Sequence, residues 1–269
     1  MKKLFLITAS ICLFFVGCEK SDRDEDTTTN SAEDYALATG LVFDVFKIIH
    51  QASSTSQGII STTIVDSTSI FGCDTIIFDG AVSPKTLEVN FDNNCTSSNV
   101  VRNGIIYASY NGYYDTPGTV TTVTFNDYFE NDFVILSGTI SYQYNGVVNS
   151  EPTYSVTFSD VKIRNNQNQK LFYSGTSQLR ITDGGSTPLF SDDEYVITGS
   201  SSSQAFKGNP YTVQISDSLV VMGDCNWVSS GTVLVKPQTK NVRTLDFGSG
   251  CDNNITITLY DINYELSIP

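Results

Sequence analysis

The sequence predicts an all-β protein: an antiparallel meander that forms a curved sheet, a sandwich or an open barrel, with one N-terminal helix. From Ile59 onward, apolar and polar residues alternate, as in "TLEVNF", "TYSVTF", "YTVQI" and "ITITL". This is the pattern of strands with one buried face. Gly, Asn and Asp separate the runs at short intervals, as in "YNG" and "TDGG". Such short connections join antiparallel neighbours, and we expect roughly a dozen strands.

The chain begins with a predicted lipoprotein signal peptide, residues 1–17. Lys2 and Lys3 precede the apolar run "LFLITASICLFFV", which has the length of a signal core and is shorter than the roughly 20 residues of a membrane-spanning helix. The stretch "FVGC" at 15–18 resembles a bacterial lipobox, although a phenylalanine replaces the usual leucine. The resemblance implies that Cys18 is lipidated and becomes the first residue of the mature protein. A plain secretory signal is the alternative.

Residues 18–32 are predicted to form an acidic flexible tether. The run "EKSDRDEDTTTNSAED" carries seven acidic residues against Lys20 and Arg23, and such a run cannot bury apolar surface. Its acidic start resembles the surface-export signal of Bacteroidota lipoproteins. An ordinary hydrophilic stalk is the alternative.

Residues 33–57 are predicted to form the N-terminal helix. Apolar residues recur with helical spacing and give a broad buried face; they are Leu37, Leu41, Val42, Phe43, Val45, Phe46, Ile48 and Ile49. His50, near the end, is interpreted as a surface or C-terminal residue. As the only histidine, it is a poor candidate for catalysis.

Residues 58–269 are predicted to form the antiparallel β domain. The alternation changes parity between Phe158 and Val161, and again between Val120 and Val123. A bulge that bends the strand would produce such a change. Both positions are therefore predicted bulges.

Four cysteines, Cys73, Cys95, Cys225 and Cys251, remain in the predicted mature chain. An even number in an exported protein indicates disulfides. The midpoints of 73–95 and 225–251 fall on the turn-like segments "GAVSPKT" and "KPQTKN", so Cys73–Cys95 and Cys225–Cys251 would each close a hairpin. A zinc site is the rival interpretation, but the cysteines lack close paired spacing.

Composition excludes several classes of function. The formal charge of −14 argues against nucleic-acid binding, which needs clustered Lys and Arg. Motifs such as G-x-S-x-G, HExxH and the P-loop do not occur, so we expect no nucleophilic catalysis, no cofactor and no resident metal. Calcium at the "DNN" segments 92–94 and 252–254 is an alternative, although an EF-hand spacing is missing.

Paired carboxylates keep an enzymatic alternative open, because a glycosidase needs only two suitably spaced acids. The acids to inspect are Asp115, Asp192, Asp193 and Glu194. Their simpler interpretation is as solvated loop residues between strands.

A tyrosine cluster in "YASYNGYYDTPG" is the more suggestive feature. Tyr107, Tyr110, Tyr113 and Tyr114 surround a predicted turn, and tyrosines there offer a flat apolar ring together with a hydroxyl. We interpret them as candidate ligand-binding residues for a glycan or protein partner. Packing in the core or on the sheet is the alternative.

The lipobox, the helix and the segments "LEVNFDNNC", "DCNWVSSGTV" and "RTLDFGSGCDNNITI" together resemble a group of Bacteroidota lipoproteins with no assigned activity. The resemblance implies an outer-membrane lipoprotein of the cell envelope. If the acidic start acts as a surface-export signal, the protein is exposed on the cell surface. The leading hypothesis is a noncatalytic binding or structural role, with the membrane reached through the lipid anchor. The alternatives are a carbohydrate-active enzyme with paired carboxylates and a periplasmic carrier of an apolar ligand.

Overall fold

The computed structural model of the protein describes residues 28–187 and 189–269. The predicted signal peptide, the lipidation site Cys18 and most of the predicted tether lie outside the described residues. Within these described ranges one α-helix, α1 (Asn30–Ser54), precedes thirteen strands. The strands are β1 (Thr75–Asp79), β2 (Lys85–Ser97), β3 (Val100–Tyr110), β4 (Val120–Glu130), β5 (Phe133–Val148), β6 (Glu151–Arg164), β7 (Lys170–Asp183), β8 (Glu194–Gln204), β9 (Pro210–Met222), β10 (Val228–Pro237), β11 (Arg243–Ser249), β12 (Asn254–Leu259) and β13 (Ile262–Ser267).

All thirteen strands form a single sheet in which each strand pairs with its neighbours in sequence. Every pairing is antiparallel, as in the β5–β6 and β7–β8 ladders. Among the described residues β1 and β13 are not paired with each other, so the sheet is open. The predicted fold class, an all-β antiparallel meander with one helix, is confirmed.

The sheet curls around α1. Asp44 of the helix contacts Arg102 on β3, while Phe46 contacts Tyr142 on β5 and Tyr195 on β8. Five strand spacings separate β3 from β8, which is about 24 Å along the sheet. A helix only about 10–12 Å wide can touch both strands only if the sheet bends around it. The helix therefore lies against the concave face.

Helix α1 is buried on nearly every side, because most of its residues are inaccessible to solvent. It begins and ends three residues earlier than the predicted range 33–57. The interpretation of His50 as a surface residue is wrong: the ring is buried against Phe46, Tyr154 and Tyr195. The ring is buried because the curled sheet also covers the helix face that was predicted to be exposed to solvent.

One of the two predicted bulges is confirmed. The β6–β7 register shifts between Phe158 and Val161. The other is wrong, because β4 pairs with β3 without interruption from Thr121 to Asn126. The register of that pair shifts instead opposite Gly104, whose φ is 83° and whose added Cβ would lie 2.1 Å from the Asp127 carbonyl oxygen.

The two predicted disulfides are confirmed. Cys73 bonds to Cys95 and Cys225 bonds to Cys251, with Cα–Cα distances of 5.2 and 5.5 Å. Two disulfides in a single β domain indicate an oxidising, extracytoplasmic compartment. Within the described part of the chain, no helix has both the length and the apolarity needed to cross a membrane.

Candidate binding surface

The structure divides the four candidate tyrosines into two pairs. Tyr110 and Tyr114 are buried on the concave side, where their hydroxyls lie 2.7 Å from Ser53 Oγ and His50 Nδ1 of α1. Tyr107 and Tyr113 retain 37% and 43% of their surface exposure. Only the second pair is therefore placed where a surface ligand could contact it.

Strand register determines the surroundings of Tyr107 on the outer, convex face. One line of cross-strand partners runs from Ile77 on β1 through Glu88 on β2 and Tyr107 on β3 to Thr124 on β4. Side chains of directly opposed residues lie on the same face of a sheet. The four side chains consequently meet on one surface although the sequence separates them widely.

These side chains line an outer groove of about 400 Å³. We call it the Tyr107 groove; its lining residues are Ile77, Phe78, Asp79, Thr86, Leu87, Glu88, Tyr107, Ala108, Ser109, Thr122 and Thr124. The volume lies within the range of small-molecule sites, which is about 300–1,000 Å³. Sequence analysis identified Tyr107 in this set but missed Ile77 and Glu88, whose proximity depends on the strand register.

The chemistry of the Tyr107 groove is mixed. The ring of Tyr107 and the half-exposed side chain of Ile77 offer apolar contact area. Glu88 supplies a carboxylate, which accepts a 3.3 Å hydrogen bond from Asn90 Nδ2. Hydroxyl groups, here from Ser109 and Thr122, both donate and accept hydrogen bonds. A ligand with an apolar ring face and several hydroxyl groups matches all of these features.

Tyr113 lies outside this groove. The ammonium group of Lys85 is 4.2 Å from the centre of its ring, a cation–π contact. Its exposure is close to that of Tyr107. Tyr113 therefore provides a matched control for experiments on Tyr107.

A second cavity, of about 330 Å³, lies at one end of α1 between the helix and several loops. On its wall Asp44 accepts hydrogen bonds of 2.7 and 3.2 Å from Nη2 and Nε of Arg102. Lys47 Nζ lies 3.5 Å from the same carboxylate. The aromatic rings of Phe71 and Phe190 also line the space.

Glu130 completes a buried polar cluster with Asp44, Arg102 and Tyr128. It accepts a 3.0 Å hydrogen bond from the Tyr128 hydroxyl and shares a hydrogen bond with Asp44. Burial, followed by the neighbouring Asp44 carboxylate, raises the pKa of Glu130 to about 8. Burial opposes ionisation of Asp44 too, but the charges of Arg102 and Lys47 outweigh it and lower that pKa. Glu130 is therefore the protonated member of the pair at neutral pH.

This carboxyl pair does not have the arrangement of a glycosidase. Retaining and inverting enzymes hold their two acids about 5–9.5 Å apart, so that the sugar or a water molecule fits between them. Asp44 and Glu130 hydrogen-bond to each other directly. The cluster explains instead how α1 is fixed to β3 and β4. Sequence analysis missed it, because 58 positions separate Asp44 from Arg102.

The acids selected from the sequence accept hydrogen bonds from nearby protein groups. Asp115 accepts hydrogen bonds from the backbone and side chain of Ser61, and Asp192 accepts one of 2.9 Å from Thr187. Glu194 accepts one of 2.6 Å from Thr182. The interpretation of Asp193 as a solvated loop acid is wrong, because it is buried.

The burial of Asp193 has a clear structural setting. Its carboxylate accepts a 2.7 Å hydrogen bond from the Tyr195 hydroxyl. Burial raises the pKa of Asp193 to about 6. The residue thus belongs to the packed interior beside the start of β8.

Comparisons with protein-family models, curated proteins and solved structures give no match for this chain.

Proposed function

We propose that the protein is a lipid-anchored, noncatalytic glycan-binding protein of the cell envelope. The observation that carries the proposal is the Tyr107 groove, which combines an exposed aromatic ring with hydroxyl groups and a carboxylate on the convex face. Tyrosine offers an apolar ring face with a polar tip, and ordered hydroxyls can pair with those of a sugar. A protein partner is the less favoured occupant, because specific protein interfaces usually bury about 800 Å² on each side around an apolar centre.

The proposed location combines the sequence with the disulfides. The lipobox-like segment ending at Cys18 supports acylation, and each buried methylene contributes about 0.8 kcal/mol to membrane binding. The two disulfides agree with export from the cytoplasm. The acidic run after Cys18 supports transport onward to the outer face of the outer membrane.

Neither alternative function has comparable support. A carrier would hold an apolar ligand against the concave face, but α1 packs there along its length. An enzyme with two carboxylates would need them apart and accessible, whereas Asp44 and Glu130 are buried and joined.

The location can be tested by protease shaving of intact cells that express the full chain. We expect digestion without lysis, while a periplasmic marker stays protected. Replacing Cys18 with alanine should release the protein from the membrane fraction. A Cys18→Ala protein that remains membrane-bound would contradict the lipid anchor.

Glycan binding can be tested by affinity electrophoresis and calorimetry of the mature domain with laminarin, galactomannan, xyloglucan and dextran. For whichever glycan binds, we expect Tyr107→Ala to weaken binding about tenfold or more. Loss of an aromatic anchor often costs about 1.4 kcal/mol or more of binding free energy, and about 1.4 kcal/mol corresponds to a tenfold change in Kd. Tyr113→Ala removes a tyrosine of similar exposure outside the groove and should leave affinity unchanged. Equal effects of the two substitutions would overturn the proposed site.

A further inference from the structure

A continuous row of hydroxyl groups crosses seven strands of the convex face. Each member pairs directly with the next across the sheet, from β2 to β8. We call this row the hydroxyl belt; its residues are Thr86, Ser109, Thr122, Ser141, Thr157, Thr176 and Ser200. None of the seven is buried. The belt is therefore accessible along its whole length.

The belt connects the Tyr107 groove to a second outer groove. Thr86, Ser109 and Thr122 line the Tyr107 groove, whereas Thr176 and Ser200 line a shallow trough of about 630 Å³ on β7 to β10. Adjacent strands lie about 4.8 Å apart, so the six steps from β2 to β8 cover about 29 Å. A ligand that followed the belt would be an extended polymer lying across the strands.

The belt hydroxyls are free to bind such a ligand. Within the described ranges, none of the seven side chains makes a hydrogen bond to another protein group. Some other hydroxyls on the same face are bonded: Ser155 bonds to Gln178 and Asn145, and Ser216 bonds to Thr232. Within the described ranges the belt is thus a line of free hydroxyls that joins the two grooves, and the exposed hydroxyls of Thr124, Thr198 and Ser202 beside it are free as well.

Neutral polar side chains surround most of the centre of the belt; in the adjacent rows on β5 to β8 the exception is the exposed carboxylate of Asp160, which bonds to Ser174. The adjacent row on one side runs through Gln143, Ser155, Gln178 and Thr198, and the row on the other side includes Ser174, Ser202 and Thr212. The whole chain, by contrast, has 29 acidic and 15 basic residues. A largely neutral panel whose nearest charge is the Asp160 carboxylate, in a chain with an excess of acidic residues, disfavours an anionic ligand and favours a neutral one.

We propose that the hydroxyl belt extends the Tyr107 groove into a binding track for a long, neutral polysaccharide. The inference rests on the proposed glycan-binding function and adds the class of glycan and its direction across β2 to β8. Sugar hydroxyls along the chain would exchange hydrogen bonds with successive belt residues, while Tyr107 packs against a ring near one end. Several weak contacts on one chain raise its affinity well beyond that of a short fragment.

A second copy of the protein is a less suitable occupant of the belt. The formal charge of −14 makes two copies repel each other. The centre of the belt also lacks the aromatic and apolar side chains that dominate the core of stable protein interfaces. An acidic polymer would meet the same overall repulsion.

The test compares a polysaccharide with its own disaccharide, using the probes laminarin, galactomannan, xyloglucan and dextran and the anionic polymer alginate as a control. We expect a neutral polymer to bind at least about tenfold more tightly than its disaccharide. Thr157→Glu, in the middle of the belt, should remove most of the difference in affinity between polymer and disaccharide and leave disaccharide binding unchanged. Ser141→Asp should have the same effect, and Thr96→Glu, at an exposed position of β2 beyond the belt, should have none.

The outcomes separate this inference from the proposed function. If Tyr107→Ala weakens both ligands and Thr157→Glu weakens neither, the glycan site stands and the track is overturned. If polymer and disaccharide bind equally, or alginate binds as tightly as the neutral polymers, the track is also overturned. A concentration-dependent dimer that Thr157→Glu disrupts would assign the belt to self-association. If none of the carbohydrates binds, both proposals fail.

Discussion

The two faces of the sheet use the same backbone for different purposes. On the concave face β5, β6 and β8 present Tyr142, Tyr154 and Tyr195, whose rings meet Phe46 edge-on at centroid distances of 5.0–5.7 Å. On the convex face the same strands present Ser141, Thr157 and Ser200. Alternate residues of one strand thus build an aromatic interior and a hydroxyl surface.

In the described part of the chain, α1 fills the concave face of the curled sheet, so the proposed binding would take place on the convex face. Burial of tyrosines around α1 supplies the packing that a sheet of this size needs. Nine of the 14 tyrosines are buried, which leaves few aromatic groups for recognition. Binding is therefore expected to depend on Tyr107 and on hydroxyl groups rather than on an aromatic patch.

The largest expected effect comes from breaking the concave face. Phe46 is 1% exposed and contacts the rings of three strands. Replacing it with alanine removes these contacts and leaves a cavity, so we expect a loss of about 3–5 kcal/mol in the free energy of unfolding. Urea denaturation followed by circular dichroism would measure the loss.

The control for this prediction lies on the opposite face of the same sheet. Thr157→Ala should change the free energy of unfolding by less than about 0.5 kcal/mol, as surface substitutions usually do. Similar losses for Phe46→Ala and Thr157→Ala would contradict the division of the sheet into a packing face and a solvent face.

Local sequence patterns predicted most of the fold, because strands and helices leave a periodic signal. The alternation in "TYSVTF" identifies β6 and its buried face, and the shift near Phe158 identifies its bulge. The pattern misled at Val120, where the structure places Thr121 inward and leaves Val120 half-buried. Side-chain type alone does not decide which face of β4 is buried.

Other features depend on long-range pairing and were beyond prediction. The belt is visible only when Thr86 on β2 and Ser200 on β8 are placed on one register line. That line runs across seven neighbouring strands, from β2 to β8. The burial of His50 had a usable signal: α1 is apolar on several sides, and helices of that kind are buried. The pairing of Asp44 with Arg102 left no comparable sign.

A smaller effect should follow from titrating the concave face. The pKa of Glu130 is about 8 in the folded protein, against an ordinary value of 4.5. The folded state therefore holds a proton that the unfolded chain releases, so its contribution to stability is complete below pH 4.5 and is lost as the pH rises through 8. The slope is at most about 1.4 kcal/mol per pH unit.

The interval from pH 6.5 to about 8 separates the titration of Glu130 from that of the other groups with shifted pKa values. Burial lowers the pKa of His50 from 6.5 to about 4, so its contribution to stability changes below pH 6.5. Burial raises the pKa values of Asp34 and Asp193 only to about 6. Glu130 is consequently the main buried carboxyl group expected to lose its proton in this interval.

Glu130→Gln tests the assignment of this titration, because glutamine can still donate to Asp44 and accept from Tyr128 but cannot titrate. We expect wild-type stability to fall between pH 6.5 and 8 and the variant to show a flatter profile in urea denaturation. Asp160→Asn, which changes an exposed acid on β6, should retain the wild-type slope. An unchanged slope in Glu130→Gln would mean that Glu130 stays ionised beside Asp44, with Arg102 and Lys47 compensating for both carboxylates.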